Sequence, residues 1–299
     1  MGNVGIVGTG VMGRAVAAVF LEKGLAVHGY DAFGPCVKVA RENGIIMHGS
    51  LAALARATDR IILFLPGPAE IAACVAGPGG LLAAAAPGTV IIDMCTSAPE
   101  TTRAMADAAK AAGVRYLDAP VLGRPATIGK WALPVGGEAE DCALVEPLLR
   151  LFAAHVVHMG PSGSGHKVKL LNQMMFGAIN AMTAEMMAVA DKVGIAPGRL
   201  YDIITASQAG TVSNLFKELG RRVSEQRYDD PTFTVALLAK DVRLGLEMAD
   251  QAGAPPLVGR TVDFLNRASC AQGFGGEDTS VMWKSLGHIW QGGDAHGQG

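Results

Sequence analysis

Residues Asn3-Val-Gly-Ile-Val-Gly8-Thr-Gly10-Val-Met-Gly13 form a short apolar β run that turns straight into a helix, which Ala15, Ala17, Ala18 and Leu21 carry on to Gly24. In that setting Gly8 permits the tight turn, Gly10 lets a pyrophosphate approach the backbone, and Gly13 lets helix and strand pack closely. The N–H groups and dipole of the helix start then hold the phosphates. Gly8, Thr9, Gly10, Val11, Met12 and Gly13 are therefore candidate cofactor-binding residues. A bland glycine-rich turn is the competing reading, and the strand-to-helix context weighs against it.

Working outward, a second β run from Leu25 to Tyr30 ends in Asp31, where the acid that hydrogen-bonds an adenosine ribose is expected. Asp31 would repel a 2′-phosphate and no arginine follows in Ala32-Phe-Gly-Pro-Cys36, so NAD is favoured over NADP. Asp31 could also simply open a turn. A helix after Pro35, a strand at Ile45 to Met47, a helix over Leu51 to Ala57, and strands Arg60 to Leu65 and Thr89 to Asp93 continue the alternation. Short runs apolar on both faces and separated by helices predict an α/β Rossmann domain with a doubly wound, mostly parallel sheet. Ligands sit at the carboxyl ends of such strands, which brings forward Leu65, Pro66, Cys95 and Thr96; Thr96 could instead cap the helix near Pro99. A strand at Val114 to Leu117, the turn Asp118-Ala-Pro-Val121-Leu122-Gly123-Arg124-Pro125, a return to sheet at Trp131 to Val135 and a helix over Ala139 to Leu151 close the domain, 1–162, with a linker at His158 to Gly165.

The second half, 163–290, reads as an all-α domain beginning with a long interdomain helix. Pro161, Gly163 and Gly165 are poor helix formers, whereas His166 to Val193 holds no proline and only Gly177 as glycine. On that helix Lys169, Asn172, Phe176, Asn180 and Thr183 share one sector, and Leu170, Leu171, Met174, Met175 and Met186 cover the others, as in a buried helix whose polar stripe needs partners. A bound polar ligand would supply them; a lysine reaching the surface by its own stem is the plainer account of Lys169. Further helices are expected over Tyr201 to Ala206, Phe216 to Ser224, Val235 to Gln251, Val258 to Cys270 and Thr279 to Ile289, with Gln291 to Gly299 as a frayed tail.

Composition narrows the function. With 299 residues there is room for two cores, and a net charge of -2 offers no basic field for nucleic acid or an anionic membrane. Half the residues are hydrophobic, but no apolar run approaches the ~20 residues that span a bilayer, and no signal segment is read at the start. The five cysteines are odd in number and widely spaced, without a C-x-x-C pair, which argues for a reducing compartment and against a metal site or disulfide framework. A soluble cytoplasmic protein is expected, and the apolar helical half suggests a homodimer or homotetramer.

Gly8-Thr-Gly-Val-Met-Gly13, Asp31, Leu65-Pro66, Asp93-Met-Cys-Thr96, Asp118-Ala-Pro-Val121, Gly136-Gly137, Gly163-Ser-Gly165, Lys169-x-x-Asn172 and Lys240-Asp241 occur in an order that resembles the β-hydroxyacid dehydrogenase family, which includes 3-hydroxyisobutyrate dehydrogenase. The resemblance runs from residue 5 to about 285. It implies an NAD-dependent enzyme interconverting a small 3-hydroxy acid and its semialdehyde or keto acid. Lys169 would be the catalytic acid/base, Asn172 would hold the substrate with Gln173 and Phe176 as further substrate-binding candidates, Val121, Leu122 and Gly123 would line the acid pocket, and Thr96 and Lys240 would contact the cofactor.

Three positions depart from the family pattern. Leu122-Gly123-Arg124 stands in place of Ser-Gly-Gly, Cys95 in place of a serine, and Gln173 in place of a second asparagine. Arg124 offers a planar, bidentate cation suited to a carboxylate or sulfonate, and Gly123-Arg124 is similar to the Gly-Arg of sulfolactaldehyde reductases, although Phe176 replaces a serine of that subgroup. Arg124 could equally be a surface residue paired with an acid such as Asp118. Two rivals share the architecture. Imine reductases lack the matching lysine and usually carry an NADP-type loop, so Lys169 and Asp31 speak against them; a non-catalytic dinucleotide-binding scaffold would have lost the lysine.

Overall fold

The computed structural model describes residues 3–207 and 213–293. The chain divides into two compact units, Met1–Lys169 and Leu170–Gly299. In the first, β1 (Val4–Val7), β2 (Val27–Tyr30), β3 (Ile46–Met47), β4 (Arg60–Leu63), β5 (Val90–Asp93), β6 (Arg115–Asp118), β7 (Trp131–Gly136) and β8 (Ala153–Gly160) form one sheet of order β3-β2-β1-β4-β5-β6-β7-β8. All neighbours are parallel except β6 and β7. The chain order reverses between β1 and β4, the switch point at which open α/β sheets take their ligands.

Alternation along the strands explains the double winding. Val4, Ile6, Ile62, Val90 and Ile92 pack on one face with Val16, Ala17 and Phe20 of α1 (Val11–Glu22), Ala40 of α2 (Gly34–Glu42) and Val145 and Leu148 of α6 (Ala139–Leu149). Val7, Ile61, Leu63 and Ile91 face the other way, onto Leu54 of α3 (Leu51–Ala57), Ile71 and Val75 of α4 (Pro68–Ala76) and Met105 and Ala109 of α5 (Pro99–Ala111). Strands covered on both sides must be apolar throughout.

Two elements lie outside the sequence-based expectations. α4 follows Gly67 with Pro68 in its first turn, a position where the missing N–H costs nothing. β8 occupies part of the expected linker. It lies at the sheet edge with His155, Val157, His158 and Met159 exposed, so its residues do not form an apolar run.

The antiparallel step builds an arm. Asp118 pairs with Gly136, and Leu122 exchanges both main-chain hydrogen bonds with Ala132 (2.9 and 3.2 Å). That register sets Pro120 opposite Pro134, at a rung where neither residue has an N–H to give. The β6–β7 ladder therefore breaks there, while β7 stays paired with β8 from Trp131 to Gly136; the chain beyond the break continues as a hairpin with residues 123–131 at its end.

In the second unit, the remainder of α7 (Ser164–Lys192) is joined by α8 (Pro197–Ala206), α9 (Asn214–Glu225), α10 (Val235–Gln251), α11 (Leu257–Ala271) and α12 (Met282–Gly293). Ala181, Ala184, Leu238, Val242, Leu246, Val262, Met282 and Leu286 form its core. α12 continues past Ile289 because Ile289 and Trp290 pack against that core; the expected tail lies, from residue 294, outside the described residues. Asn180 and Thr183 are buried as the stripe required, and Asn180 donates to Thr279 O at 3.1 Å. The expectation that α7 is buried on its apolar faces is corrected. Leu171, Met175, Met182, Met186 and Val189 are exposed, because hydrophobicity alone does not say which face of a helix has a neighbour.

Candidate functional site

The glycine turn connects β1 to α1. A Cβ at Gly8, whose φ is +89°, would lie 2.1 Å from Phe64 O, so only glycine fits there. At Gly10, the residue before α1, a Cβ would meet nothing within 4 Å, and no side chain caps the helix start. Open space in front of uncapped N–H groups is what a pyrophosphate requires, so these residues fit a dinucleotide. Val11 is exposed, Met12 half-buried and Gly13 buried against Gly8 O. Asp31 closes the turn from β2: one carboxylate oxygen accepts Thr9 N–H (2.7 Å) and Thr9 Oγ1–H (3.2 Å), and the other accepts Phe33 N–H (2.8 Å). It lies beside the glycines and orders the turn itself.

Next along the strand ends come Leu65 and Pro66 after β4 and Cys95 and Thr96 after β5. The Leu65 N–H donates to the buried Cys95 Sγ at 3.0 Å, so the thiol ties the two loops together. Ala98 is the N-cap of α5, so Thr96 does not fill that place. Below them the buried Asp93 accepts Cys95 N–H (3.0 Å) and Tyr116 Oη–H (2.6 Å). Burial, reinforced by the Asp93 carboxylate, pushes the Tyr116 phenol well above its usual range, so it stays a donor.

The arm carries Val121, Leu122, Gly123 and Arg124. Gly123 packs directly against the Trp131 indole: a Cβ there would be 2.1 Å from Trp131 Cδ1. Trp131 is fully buried, meets Phe152 edge-on (5.9 Å), and donates its Nε1–H to Arg124 O at 2.7 Å. Thr127 adds N–H and hydroxyl bonds to the same carbonyl (2.9 and 3.0 Å). The backbone that presents Arg124 is thus held from beneath by an aromatic floor that the sequence motif did not reveal.

α7 starts against this arm. Asp118 is fully buried and accepts Gly163 N–H at 2.8 Å and His166 N–H at 2.9 Å. Burial pushes its pKa above the usual carboxylate value, against the opposing pull of His166 and these two N–H groups. His166, also buried, shares a 2.6 Å hydrogen bond with Thr102 of α5. Lys169 is half-buried and its Nζ donates to Val121 O at 2.9 Å. On the antiparallel arm Val121 is out of phase with the bonded rungs, so its carbonyl faces away from β7; Ala119, in the same phase, donates to Asp93 O. Beyond the end of β5 no strand takes the Val121 carbonyl, and the lysine does.

Within the helical unit, Asn172 is exposed and donates to Gln173 Oε1 at 3.3 Å. Gln173 is buried, its Nε2 donating to Asp241 Oδ2 at 2.7 Å, while Lys240 Nζ lies 2.8 Å from Asp241 Oδ1. Asp241 thereby orders both neighbours, a role its place after Lys240 did not announce. The Phe176 ring meets Phe233 edge-on at 5.6 Å.

Residues 3–160 match the NAD binding domain of 6-phosphogluconate dehydrogenase, and residues 163–286 match the segment described as NAD-binding of NADP-dependent 3-hydroxyisobutyrate dehydrogenase. The chain is 32% identical to an L-threonate dehydrogenase from Cupriavidus necator, over 94% of this chain and 95% of that one. It is 28% identical to a 2-(hydroxymethyl)glutarate dehydrogenase from Eubacterium barkeri, over 97% and 95%. A solved 3-hydroxyisobutyrate dehydrogenase from Salmonella typhimurium superposes with a TM-score of 0.87 at 25% identity, covering 95% of this chain and 99% of that one.

Proposed function

The chain belongs to the β-hydroxyacid dehydrogenase family and is an oxidoreductase that uses a nicotinamide dinucleotide, and on that premise we propose that it interconverts a small 3-hydroxy acid, carboxylate or sulfonate, with its semialdehyde or keto acid, with NAD preferred over NADP. One observation carries the reading: the Lys169 amine is bonded to the carbonyl of Val121, on the arm whose end presents Gly123 and Arg124. A proton acceptor and an anion-binding group thus share one support.

A bound nicotinamide dinucleotide would supply the acceptor for a hydride from the carbinol carbon, or its donor in the reverse direction. Lys169, as neutral amine, accepts the hydroxyl proton during oxidation; as ammonium it stabilises the developing alkoxide and donates the proton back. Arg124 holds the acid group by bidentate bonds, with the backbone of Val121 to Gly123 around it. Asn172, nearly one turn beyond Lys169 on α7, orients the substrate through its amide, with Gln173 and Phe176 supporting that stretch of helix. The glycine turn, Asp31, Leu65, Pro66, Thr96 and Lys240 hold the cofactor. The exposed apolar stripe of α7 supports self-association as a homodimer or homotetramer. The unpaired cysteines support a cytoplasmic location; among the described residues no helix is long and apolar enough to cross a membrane.

The test is initial-rate NADH formation with 3-hydroxyisobutyrate, serine, glycerate, 3-hydroxypropionate and 2,3-dihydroxypropanesulfonate. Lys169→Ala should lower kcat by about 10²- to 10⁴-fold with cofactor binding retained. Turnover within a few-fold of wild type would refute the lysine's role. Cofactor binding without turnover on any acid would favour the scaffold reading.

A further inference from the structure

Asp118 is an unusual residue to find at the end of β6. Its carboxylate is fully buried, a costly placement unless both oxygens are used. Both are used, and by the same element: Gly163 N–H and His166 N–H at the start of α7, where the first N–H groups of a helix have no partner inside it. The fit is tight. A Cβ at Gly165 would lie 2.4 Å from Pro134 O and 2.6 Å from Asp118 O, so the helix start lies directly on the backbone of the arm. His166 adds a second tie through Thr102.

Lys169 follows His166 by nearly one helical turn, as Val121 follows Asp118 along the arm, and the two are bonded. Strand 118–121 and helix 163–169 are therefore joined at both ends, by a carboxylate at one and by the lysine at the other. We propose that Asp118 is a positioning residue, which sets the Lys169 amine in its working place by holding the first turn of α7 onto the arm. The proposal rests on Lys169 as the proton acceptor and donor. It assigns to Asp118 no contact with substrate or cofactor.

Asp118→Asn preserves the shape but turns an amide NH2 toward a main-chain N–H, removing one of the two anchors. Four quantities are measured for it: kcat, KM for acid and for NAD, thermal unfolding, and the rate at which Lys169 of the cofactor-free protein is acylated, followed by peptide mass spectrometry. A displacement of about 1 Å at a reacting group costs up to ~10²-fold in rate. The expectation is thus a kcat lowered by at least about tenfold, an unchanged KM for NAD, and faster acylation of Lys169. In a Lys169→Ala background the same substitution should cost almost nothing further, since residues acting as a unit are not additive.

Equal losses in both backgrounds, or an unchanged acylation rate, would overturn the proposal and leave Asp118 as a stabilising residue only. If Lys169→Ala alone retains wild-type turnover, the lysine reading fails, whereas the acylation rate still decides whether Asp118 positions the amine. Should Asp118→Asn not fold, Gly165→Ala displaces the same helix start and is judged by the same measurements.

Discussion

Gly123→Ala tests the floor beneath the candidate acid pocket. The new methyl would lie 2.1 Å from Trp131 Cδ1 and 2.7 Å from its Nε1, so about 1.4 Å of movement is needed to reach the ~3.5 Å at which carbon atoms pack. The indole cannot retreat, since it is fully buried and meets Phe152, which in turn meets Phe20 at 5.6 Å. The main chain of the arm must lift instead. A shift of that size breaks the 2.7 Å bond from Trp131 Nε1 to Arg124 O, worth about 1 kcal/mol. Overpacking adds roughly 1–3 kcal/mol, and the stiffer unfolded chain returns about 0.4–1 kcal/mol. The net expectation is a loss of about 1–3 kcal/mol, read as a lower urea midpoint at unchanged m-value. Arg124 moves with the chain, so kcat/KM for the preferred acid should fall by up to ~10²-fold. KM for the cofactor should not change, because the glycine turn lies on other strands. An unaltered urea midpoint together with kcat/KM within about twofold of wild type would refute both the packing argument and the location of the pocket.

Asp31→Asn removes the charge that repels a 2′-phosphate while retaining one acceptor for Thr9 or Phe33, so the ratio of kcat/KM with NAD to that with NADP should drop by about tenfold or more; a constant ratio would remove Asp31 from cofactor selection. Tyr228 gives a pH test. Burial, with a smaller contribution from Glu277, raises its phenol from 10.0 to about 12, so its neutral form favours the folded state. That contribution is fully present below pH 10, the unfolded value, and is lost as pH rises to about 12. In Tyr228→Phe the alkaline loss over that interval should shrink, and stability at neutral pH should hold or rise, since the buried hydroxyl has no hydrogen-bond partner among the described residues. Thermal unfolding of both proteins from pH 8 to 12 checks it, and identical pH profiles would count against it.

What was legible in the sequence follows from how local each signal is. The glycine turn, the apolar strands and α10, whose expected ends coincide with Val235 and Gln251, are written in consecutive residues. β8 was not legible because an edge strand needs only one apolar face, and His155 and His158 interrupt the pattern. Lys169 stood out only beside a family pattern, since a lysine near a helix start is ordinary. Partners that hold the site together lie far apart in sequence, Asp118 and His166 by 48 residues and Leu65 and Cys95 by 30. No spacing rule links such pairs. Pro120 and Pro134 were visible as residues but acquired meaning only once the register set them face to face.

That proline rung also bears on how such an enzyme can diversify. With no main-chain bond possible between Pro120 and Pro134, the β6–β7 ladder is interrupted, while β7 stays paired with β8 from Trp131 to Gly136 and Leu122 and Ala132 hold the arm's register beyond the gap. Along the sheet, strain from a substitution at the end of the arm passes first to β7 and β8 at the sheet edge, which β6, β5 and β4 separate from β1 and the glycine turn. On the proposed reading, substrate choice and cofactor use would then be separately mutable traits, with Leu122-Gly123-Arg124 as one setting of an exchangeable part.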